Sequence, residues 1–293
     1  MHVMHVVYMD GDQAMTGGGQ ALLRSFDPAF VARHYKRENG HSYTLGAAPT
    51  VELLLRRPEL VIKAYVRAGY AARGPTGDIP GLCARIGAPV EAGDKAFNRV
   101  GAKDSEHAMA AFRKPPMGLD EGACHVVLVN PADAGNLGTI LRTGVGFGFR
   151  DFAIVCPGVD VFDPKAVRAS MGAVFLCRHL CVGSFADYMR GRAGRAIYAF
   201  MLDGRQSLEQ AARGAPPEWD GRVGGSVGGS GSERDSGRAY TLVFGNEAVG
   251  LPAEFHGYGM SVVIPHSPDI DSLNLPVAFG IAAHAFSTRG QHK

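Results

Sequence analysis

The sequence predicts an α/β protein whose C-terminal part is a parallel sheet with helices on both faces, preceded by a smaller N-terminal α/β domain. Three observations lead to this fold class. Short, continuous apolar runs recur in the second half, as in strands that are buried on both faces. Helical stretches separate several of these runs, as they do in parallel sheets. In the first half, patterns typical of helices and of strands alternate along the chain.

The composition is that of a globular protein without a membrane span. The chain has 293 residues, of which 46% are hydrophobic and 20% are charged. No apolar run reaches the roughly 18 residues of a transmembrane helix, and the N-terminus lacks the features of a signal peptide. We therefore expect a cytoplasmic protein. The formal net charge of +2 neither marks nor excludes a nucleic-acid-binding protein, because a local basic patch is sufficient.

The N-terminal domain is predicted to cover residues 1–114. Its first 41 residues give little structural signal, apart from a short helix predicted over residues 27–36. An amphipathic helix is predicted over residues 49–57, because its apolar side chains fall on one face. The remaining predicted elements are a strand at 61–66, a helix at 79–86 and a strand that starts at 88–90.

A stiff connector separates the two predicted domains. Residues 114–118 read Lys-Pro-Pro-Met-Gly, a sequence that disfavours both helix and strand. We assign residues 115–122 to this linker and residues 123–293 to the second domain. Within that domain, residues 221–237 consist mainly of glycine and serine, which predicts a flexible surface insertion.

We expect that deletion of residues 222–236 leaves folding and activity close to normal. The segment carries few apolar residues, so it contributes little to a packed core. Thermal unfolding and activity of the deletion variant test this expectation. A large loss of substrate affinity would instead indicate an arm that clasps the substrate.

Polar motifs follow the apolar runs of the second domain, where ligands bind in open α/β sheets. The predicted strands are 124–129, 152–156, 196–200, 240–244 and 261–264. After the first strand, Asn136 lies near the start of a helix, where its side chain can cap free backbone N–H groups. Arg142 follows six residues later. Taken alone, these two residues are better explained as a cap and a solvated side chain than as parts of a site.

Two further motifs follow later strands. Gly245 ends one strand, and Asn246 and Glu247 lie directly on the turn that follows. A carboxylate on a glycine-rich turn after a buried strand costs free energy unless it has a functional role, and taken alone a functional and a structural explanation are about equal. The last strand ends at Ile264-Pro265, and a loop leads through Ser272-Leu273-Asn274 into a helix with Pro276 in its first turn.

Other site types have weaker support. Cys177, His179 and Cys181 could suggest a metal, but no second pair of ligands lies at zinc-finger spacing, so we predict none. The glycines after residue 143 follow a helix and do not form a dinucleotide fingerprint. A serine hydrolase is disfavoured because the chain has no nucleophile-elbow motif.

Taken together, the motifs resemble those of the SpoU/TrmH-type family of RNA ribose 2′-O-methyltransferases, within the SPOUT class. The resemblance covers about residues 124 to 288, and the motifs are specific as a set. In chain order they are Asn136-x-Gly138 with Arg142, Ser170-x-Gly172-Ala173, Gly245-Asn246-Glu247-x-x-Gly250-Leu251, and Ile264-Pro265 followed by Ser272-Leu273-Asn274. The N-terminal half more weakly resembles the family's RNA-binding domain, which is similar to small ribosomal proteins. His107-Ala108-Met109 departs from the His-Gln-Gly of many relatives.

The resemblance implies a fold, a cofactor and a set of site residues. The fold is an α/β-knot, in which the chain of the second domain forms a deep trefoil knot. The cofactor is S-adenosyl-L-methionine. It would be held by Gly245, Ile264 and Leu273, with Pro265 shaping the pocket. The implied catalytic residues are Asn136, Arg142, Glu247, Ser272 and Asn274.

The resemblance also implies roles for these residues. Arg142 would act near the ribose hydroxyl, either as general base or as an electrostatic clamp on RNA. Asn136 would orient the ribose or Arg142, and Glu247 would position Arg142 or accept the proton. Ser272 and Asn274 would fix the loop and the nucleotide.

The predicted function is therefore methylation of a ribose 2′-hydroxyl in structured RNA, with rRNA favoured over tRNA. A homodimer through the C-terminal domain is implied by the resemblance and by the apolar surface of the last helix. One alternative is an RNA-binding module of the same fold without catalysis. Another is a nucleotide-dependent enzyme on a doubly wound sheet, which residues 130–133 disfavour because they lack a glycine-rich turn.

Overall fold

The protein forms two sheets in a computed structural model that describes residues 26–72, 77–214 and 239–287. The first sheet has four strands in the order β1-β4-β2-β3, and the second has seven in the order β7-β6-β5-β10-β8-β11-β9. Every strand pair of the second sheet is parallel. The parallel α/β sheet predicted for the second half is therefore confirmed. The predicted glycine- and serine-rich insertion at 221–237 lies outside the described residues.

The N-terminal sheet is mixed. Strand β4 pairs antiparallel with both β1 and β2, and β3 pairs parallel to β2. The strands are β1 (His41–Leu45), β2 (Val61–Val66), β3 (Val90–Ala92) and β4 (Ala108–Arg113), and the helices are α1 (Ala47–Arg56), α2 (Ile79–Ile86) and α3 (Lys95–Val100). Helix α2 begins where Asp78 accepts a hydrogen bond from the Gly81 N–H and ends at Gly87, whose φ of 76° suits glycine.

The C-terminal sheet carries helices on both faces. Its strands are β5 (His125–Val129), β6 (Asp151–Val155), β7 (Arg178–Val182), β8 (Ala196–Phe200), β9 (Gln206–Ser207), β10 (Tyr240–Phe244) and β11 (Met260–Val263). Its helices are α4 (Ala134–Gly146), α5 (Pro164–Ala169), α6 (Phe185–Met189), α7 (Leu208–Gly214) and α8 (Leu275–Ser287). Side chains of β5 alternate between two cores: Val126 packs in the core that contains α4 and α8, and Val127 in the core that contains α6.

The helix predicted for residues 27–36 is wrong. The segment is an irregular arm that crosses the N-terminal sheet. The Arg33 N–H donates to the Tyr43 hydroxyl at 3.0 Å, and the Lys63 ammonium donates to the Pro28 carbonyl at 2.8 Å. Tertiary hydrogen bonds thus satisfy backbone groups that a helix would have paired internally.

The N-terminal sheet packs against α5 and the short helix at Ala173–Leu176. Phe112 of β4 contacts Phe175 of the second domain, with ring centroids 5.1 Å apart. Lys114 forms an ion pair with Asp160 at 2.8 Å, and both side chains are largely buried. No helix within the described ranges is long and apolar enough to cross a membrane.

Candidate active site

A cavity of about 350 Å³ opens at the carboxyl ends of β8, β10 and β11. Its volume is within the range of small-molecule sites, and its position is the usual one in open α/β sheets. The turns after all three strands line it, together with the start of α8. The lining residues are Phe200, Met201, Leu202, Asp203, Phe244, Gly245, Asn246, Glu247, Ala248, Val249, Gly250, Leu251, Val262, Val263, Ile264, His266, Ser272, Leu273, Leu275 and Ala278.

The turn after β10 depends on glycine at position 245. A Cβ atom at Gly245 would lie 2.2 Å from the carbonyl carbon of Gly250, and backbone cannot move aside as a side chain can. The Gly250 N–H donates to the Asn246 carbonyl at 2.9 Å, which closes the turn. The Asn246 side chain donates to the Asn130 carbonyl at 2.7 Å. This wall of the cavity is therefore a tightly bonded backbone loop.

Glu247 connects this turn to the start of α4. Its carboxylate accepts hydrogen bonds from the Ala132 N–H at 3.0 Å, the Asp133 N–H at 3.2 Å and the Asn136 side-chain amide at 3.2 Å. Burial raises the pKa of Glu247, but these hydrogen bonds and one from its own backbone outweigh burial and hold the pKa below its usual value. Glu247 is therefore an ionised acceptor that fixes Asn136.

Asp133, and not Asn136, caps α4. The Asp133 carboxylate accepts the Asn136 N–H at 2.7 Å, so the predicted cap at Asn136 is wrong. The reason is that the turn after β5 is long enough for Asp133 to precede the helix, which places Asn136 inside the first turn. Its side chain is then free to reach Glu247.

We expect Glu247→Gln to lower the free energy of unfolding at pH 7 by about 1 kcal/mol. The loss is no larger because Glu247 is partly exposed, and solvent weakens each hydrogen bond to its charged carboxylate. Because the folded-state pKa is depressed, the carboxylate stabilises the fold above its unfolded pKa of about 4.3 and ceases to do so as the pH falls through the folded value. The difference from wild type should therefore shrink below about pH 4. Urea unfolding across pH measures it, with the exposed Glu254→Gln as control. A difference that is constant down to pH 2.5 would contradict this assignment.

The structure separates the remaining predicted residues into two groups. Ser272 and Leu273 line the cavity together with Gly245 and Ile264. Three predicted site residues are not among the described residues that line the cavity. They are Arg142, Pro265 and Asn274, and all three are exposed.

Arg142 lies further along α4 from Asn136. The helical rise places it about 9 Å along the axis, and the helical period turns it to a different face. Among the residues that the structure describes, its guanidinium has no hydrogen-bond or ion-pair partner. Arg142 is thus free to contact a molecule outside the chain.

Residues on the turn after β8 were missed by the motif analysis. Leu202 and Asp203 line the cavity, and His256 lies 3.0 Å from the Asp203 carboxylate. The strand at 196–200 was predicted correctly, so the rule that carboxyl ends of neighbouring parallel strands meet could have pointed to the turn that follows. In the described part of the chain, no group of three or more His, Cys, Asp or Glu side chains could hold a metal ion.

Comparisons with known proteins identify the family of this chain. Residues 123–284 match the profile of the SpoU rRNA Methylase family. A 23S rRNA (adenosine(1067)-2′-O)-methyltransferase of Streptomyces laurentii is 30% identical over 228 residues, which is 73% of this chain and 74% of that protein. An uncharacterized tRNA/rRNA methyltransferase of Synechocystis is 28% identical over 58% of this chain, and the match spans only 54% of that relative.

Solved structures share the fold. The AdoMet-bound rRNA methyltransferase of Sinorhizobium meliloti superposes with a TM-score of 0.64 at 23% identity, over 87% of this chain and 89% of that one. The SpoU methyltransferase AviRb of Streptomyces viridochromogenes, in complex with AdoMet, superposes with a TM-score of 0.65 at 16% identity, over 86% and 91%. The family profile covers more than half of the chain, and the predicted resemblance is confirmed: the chain belongs to the SpoU rRNA methylase family.

Proposed function

We propose that this chain transfers the methyl group of S-adenosyl-L-methionine to a ribose 2′-hydroxyl of structured RNA, with rRNA favoured over tRNA. The observation that carries the proposal is the cavity at the strand ends, whose wall continues through Glu247 to Asn136 on α4. A relative that covers most of the chain is named as a 23S rRNA 2′-O-methyltransferase, which favours rRNA.

The cavity fits such a cofactor. The missing Cβ at Gly245 lets the Gly250 backbone close tightly into the cavity wall, and the side chains of Ile264 and Leu273 line the cavity beside that polar backbone. In the proposed arrangement these three residues hold the cofactor, and the exposed Pro265 shapes the loop at its rim. When bound, S-adenosyl-L-methionine supplies a methyl group activated by a sulfonium, so the protein mainly has to position the accepting oxygen.

The geometry favours an electrostatic role for Arg142 over general-base catalysis. A guanidinium keeps its proton at any physiological pH, and the exposed side chain is free to bind an RNA phosphate. In this proposal it clamps the phosphate next to the target ribose and stabilises negative charge that develops on the oxygen. Ser272 and Asn274 lie on the exposed loop before α8 and hold the nucleotide.

Glu247 is better suited to positioning than to accepting a proton. Its carboxylate already accepts from two backbone N–H groups and the Asn136 amide, and its lowered pKa makes it a weak base. It therefore fixes Asn136, which is left to orient the ribose.

Two finer features of the family are part of the proposal. The first is a trefoil knot in residues 123–293, supported by a close backbone passage: a Cβ at Gly204 would lie 2.3 Å from the carbonyl carbon of Val262. The second is RNA binding by residues 1–114, with 115–122 as the linker. The exposed His107 lies beside a large groove next to α1, where it is available to RNA.

Two measurements test the function. Calorimetry should detect binding of S-adenosyl-L-methionine to the full chain, whereas an RNA-binding module without catalysis would give no heat. Ribose-methylation mapping of total RNA, with and without the protein, should then show one or a few positions that depend on it. Binding without any dependent position in rRNA or tRNA would contradict the proposed substrate.

We further propose a homodimer through the C-terminal domain, in which the apolar contact surface of α8 differs from the one expected from the sequence. The large residues Phe279 and Phe286 of α8 are buried within the chain, so they do not provide the apolar surface expected from the sequence. Val277 and Ile281 do provide it: they lie one turn apart on α8 and are 51% and 40% exposed.

We expect Ile281→Asp to convert the dimer to a monomer, because a charge on an apolar interface must be desolvated without a partner. Light scattering across a wide concentration range measures the state, and circular dichroism checks the fold. Tyr258→Asp is the matched control, since Tyr258 is similarly exposed but lies on the opposite face of the sheet, packed with Phe185. A wild-type chain that is monomeric and fully active at 31.0 kDa would refute the dimer.

A further inference from the structure

Two cysteines meet at the ends of neighbouring strands. Cys156 follows β6, Cys181 lies in β7, and their Sγ atoms are 2.7 Å apart. The Cys156 N–H donates to the Val182 carbonyl at 2.8 Å, which holds the two strand ends together. Both cysteines are partly exposed, whereas Cys83 and Cys177 are buried. The pair is therefore accessible and close enough for a bond that needs only a small movement.

Arg37 from the N-terminal arm contacts both sulfur atoms. Its Nη2 lies 3.5 Å from Cys156 Sγ and 3.5 Å from Cys181 Sγ, and its Nη1 donates to the Gly158 carbonyl at 2.7 Å. A guanidinium next to a thiol favours the thiolate, which is the reactive form. The same positive charge disfavours a metal cation at this pair.

The two sulfur atoms are not equivalent. Burial, and then the neighbouring Cys156, raise the pKa of Cys181 to about 11, against a smaller opposite effect of Arg37. Cys181 therefore keeps its proton near neutral pH. The attack is therefore assigned to Cys156, which lies beyond the end of β6, whereas Cys181 lies within β7.

The pair is connected to the candidate active site through two residues that follow Cys156. A Cβ at Gly158 would lie 2.9 Å from the Pro131 ring, and the Val159 N–H donates to the Pro131 carbonyl at 2.9 Å. The next residue, Ala132, donates its N–H to Glu247. The loop after Cys156 is thereby bonded to the turn whose N–H groups hold Glu247.

We propose that Cys156 and Cys181 form a reversible disulfide in response to hydroperoxides, and that its closure tightens the turn at Pro131 and Ala132. The Cys156 thiolate attacks the peroxide, the O–O bond breaks, and the leaving oxygen takes a proton from solvent, so that the products are a sulfenic acid and water or an alcohol. The Cys181 sulfur then attacks the sulfenic sulfur, forms the S–S bond and releases water as it loses its proton. Two thiols are oxidised and one peroxide is reduced. Neither cysteine takes part in the proposed methyl transfer.

The chemistry is tested on the full chain with hydrogen peroxide, followed by alkylation, digestion and mass spectrometry. We expect a peptide pair linked through Cys156 and Cys181 that dithiothreitol separates. Cys181→Ser should instead accumulate a sulfenic acid on Cys156 that dimedone traps. Linkage through other cysteines, or no dimedone adduct in that variant, would overturn the proposal.

Two further measurements test the role of Arg37 and the connection to the active site. Arg37→Ala should slow disulfide formation by at least about fivefold, with Arg33→Ala as the matched control on the same arm. Hydrogen exchange at the Ala132 and Asp133 amides should slow by at least about threefold in the oxidised protein, and not in oxidised Cys181→Ser. Equal exchange rates in the two redox states would refute the connection. This readout needs neither cofactor nor RNA, so it is independent of the proposed function.

Discussion

Arg142→Ala is expected to lower methyl transfer by at least about 100-fold while the affinity for S-adenosyl-L-methionine changes by less than about twofold. The first effect follows from removal of a charge that acts in the transition state. The second follows from the position of Arg142, which is exposed on α4 and absent from the described lining of the cavity. The variant should fold normally, because the guanidinium has no partner in the described part of the chain.

Single-turnover rates with RNA and calorimetry with the cofactor separate the two effects. Arg150→Ala is the matched control, since Arg150 is also exposed and lies shortly after the end of α4. Arg142→Lys keeps the charge but loses the planar fork, so it should recover only part of the activity. Retention of more than a tenth of wild-type turnover by Arg142→Ala would remove this residue from the mechanism.

Gly245→Ala is expected to weaken cofactor binding by at least about 100-fold. The added methyl group would lie 2.2 Å from the Gly250 carbonyl carbon and 2.4 Å from the Leu251 nitrogen. Both atoms are backbone, so the turn itself must open, and the cavity wall shifts with it. The variant should also be less stable, by about 1 to 3 kcal/mol, because an overpacked position strains its surroundings.

Calorimetry and urea unfolding measure these two losses. Gly257→Ala is the matched control, because a Cβ at Gly257 would meet no atom within 4 Å. Gly257 also lies between two strands, at the end of the short helix that precedes β11. That control should bind the cofactor like wild type. If Gly245→Ala bound it with unchanged affinity, the cofactor would have to lie away from this turn.

The sequence predicted best the elements whose signal is local. The strand at 61–66 and the helix at 79–86 agree with β2 and α2, since apolar side chains and a helix cap specify them without distant partners. The apolar runs of the second domain predicted β5, β8 and β10 for the same reason. Two of these strands, β8 and β10, end at the cavity, so its location could be predicted.

Features that depend on distant contacts could not be predicted in the same way. The arm at 27–36 has a helix-like pattern, but hydrogen bonds to β1 and β2 hold it extended. Strand β7 was overlooked because Arg178, His179 and Cys181 break up its apolar pattern, although its partner β6 was found. The pairing of Asn136 with Glu247 joins residues that are 111 positions apart, and only the fold shows that they touch.

The contacts between the N-terminal sheet and the second domain have a consequence for the choice of nucleotide. Arg168 of α5 lies 2.8 Å from the buried Glu106 carboxylate, and Lys114 binds Asp160 at the same distance. With Phe112 packed against Phe175, these contacts fix the N-terminal sheet against the second domain. If the N-terminal sheet holds RNA as proposed, the span between the recognised structure and the methylated ribose is constant. The enzyme then selects the nucleotide by its distance from the RNA structure that the N-terminal sheet recognises, more than by the identity of its base.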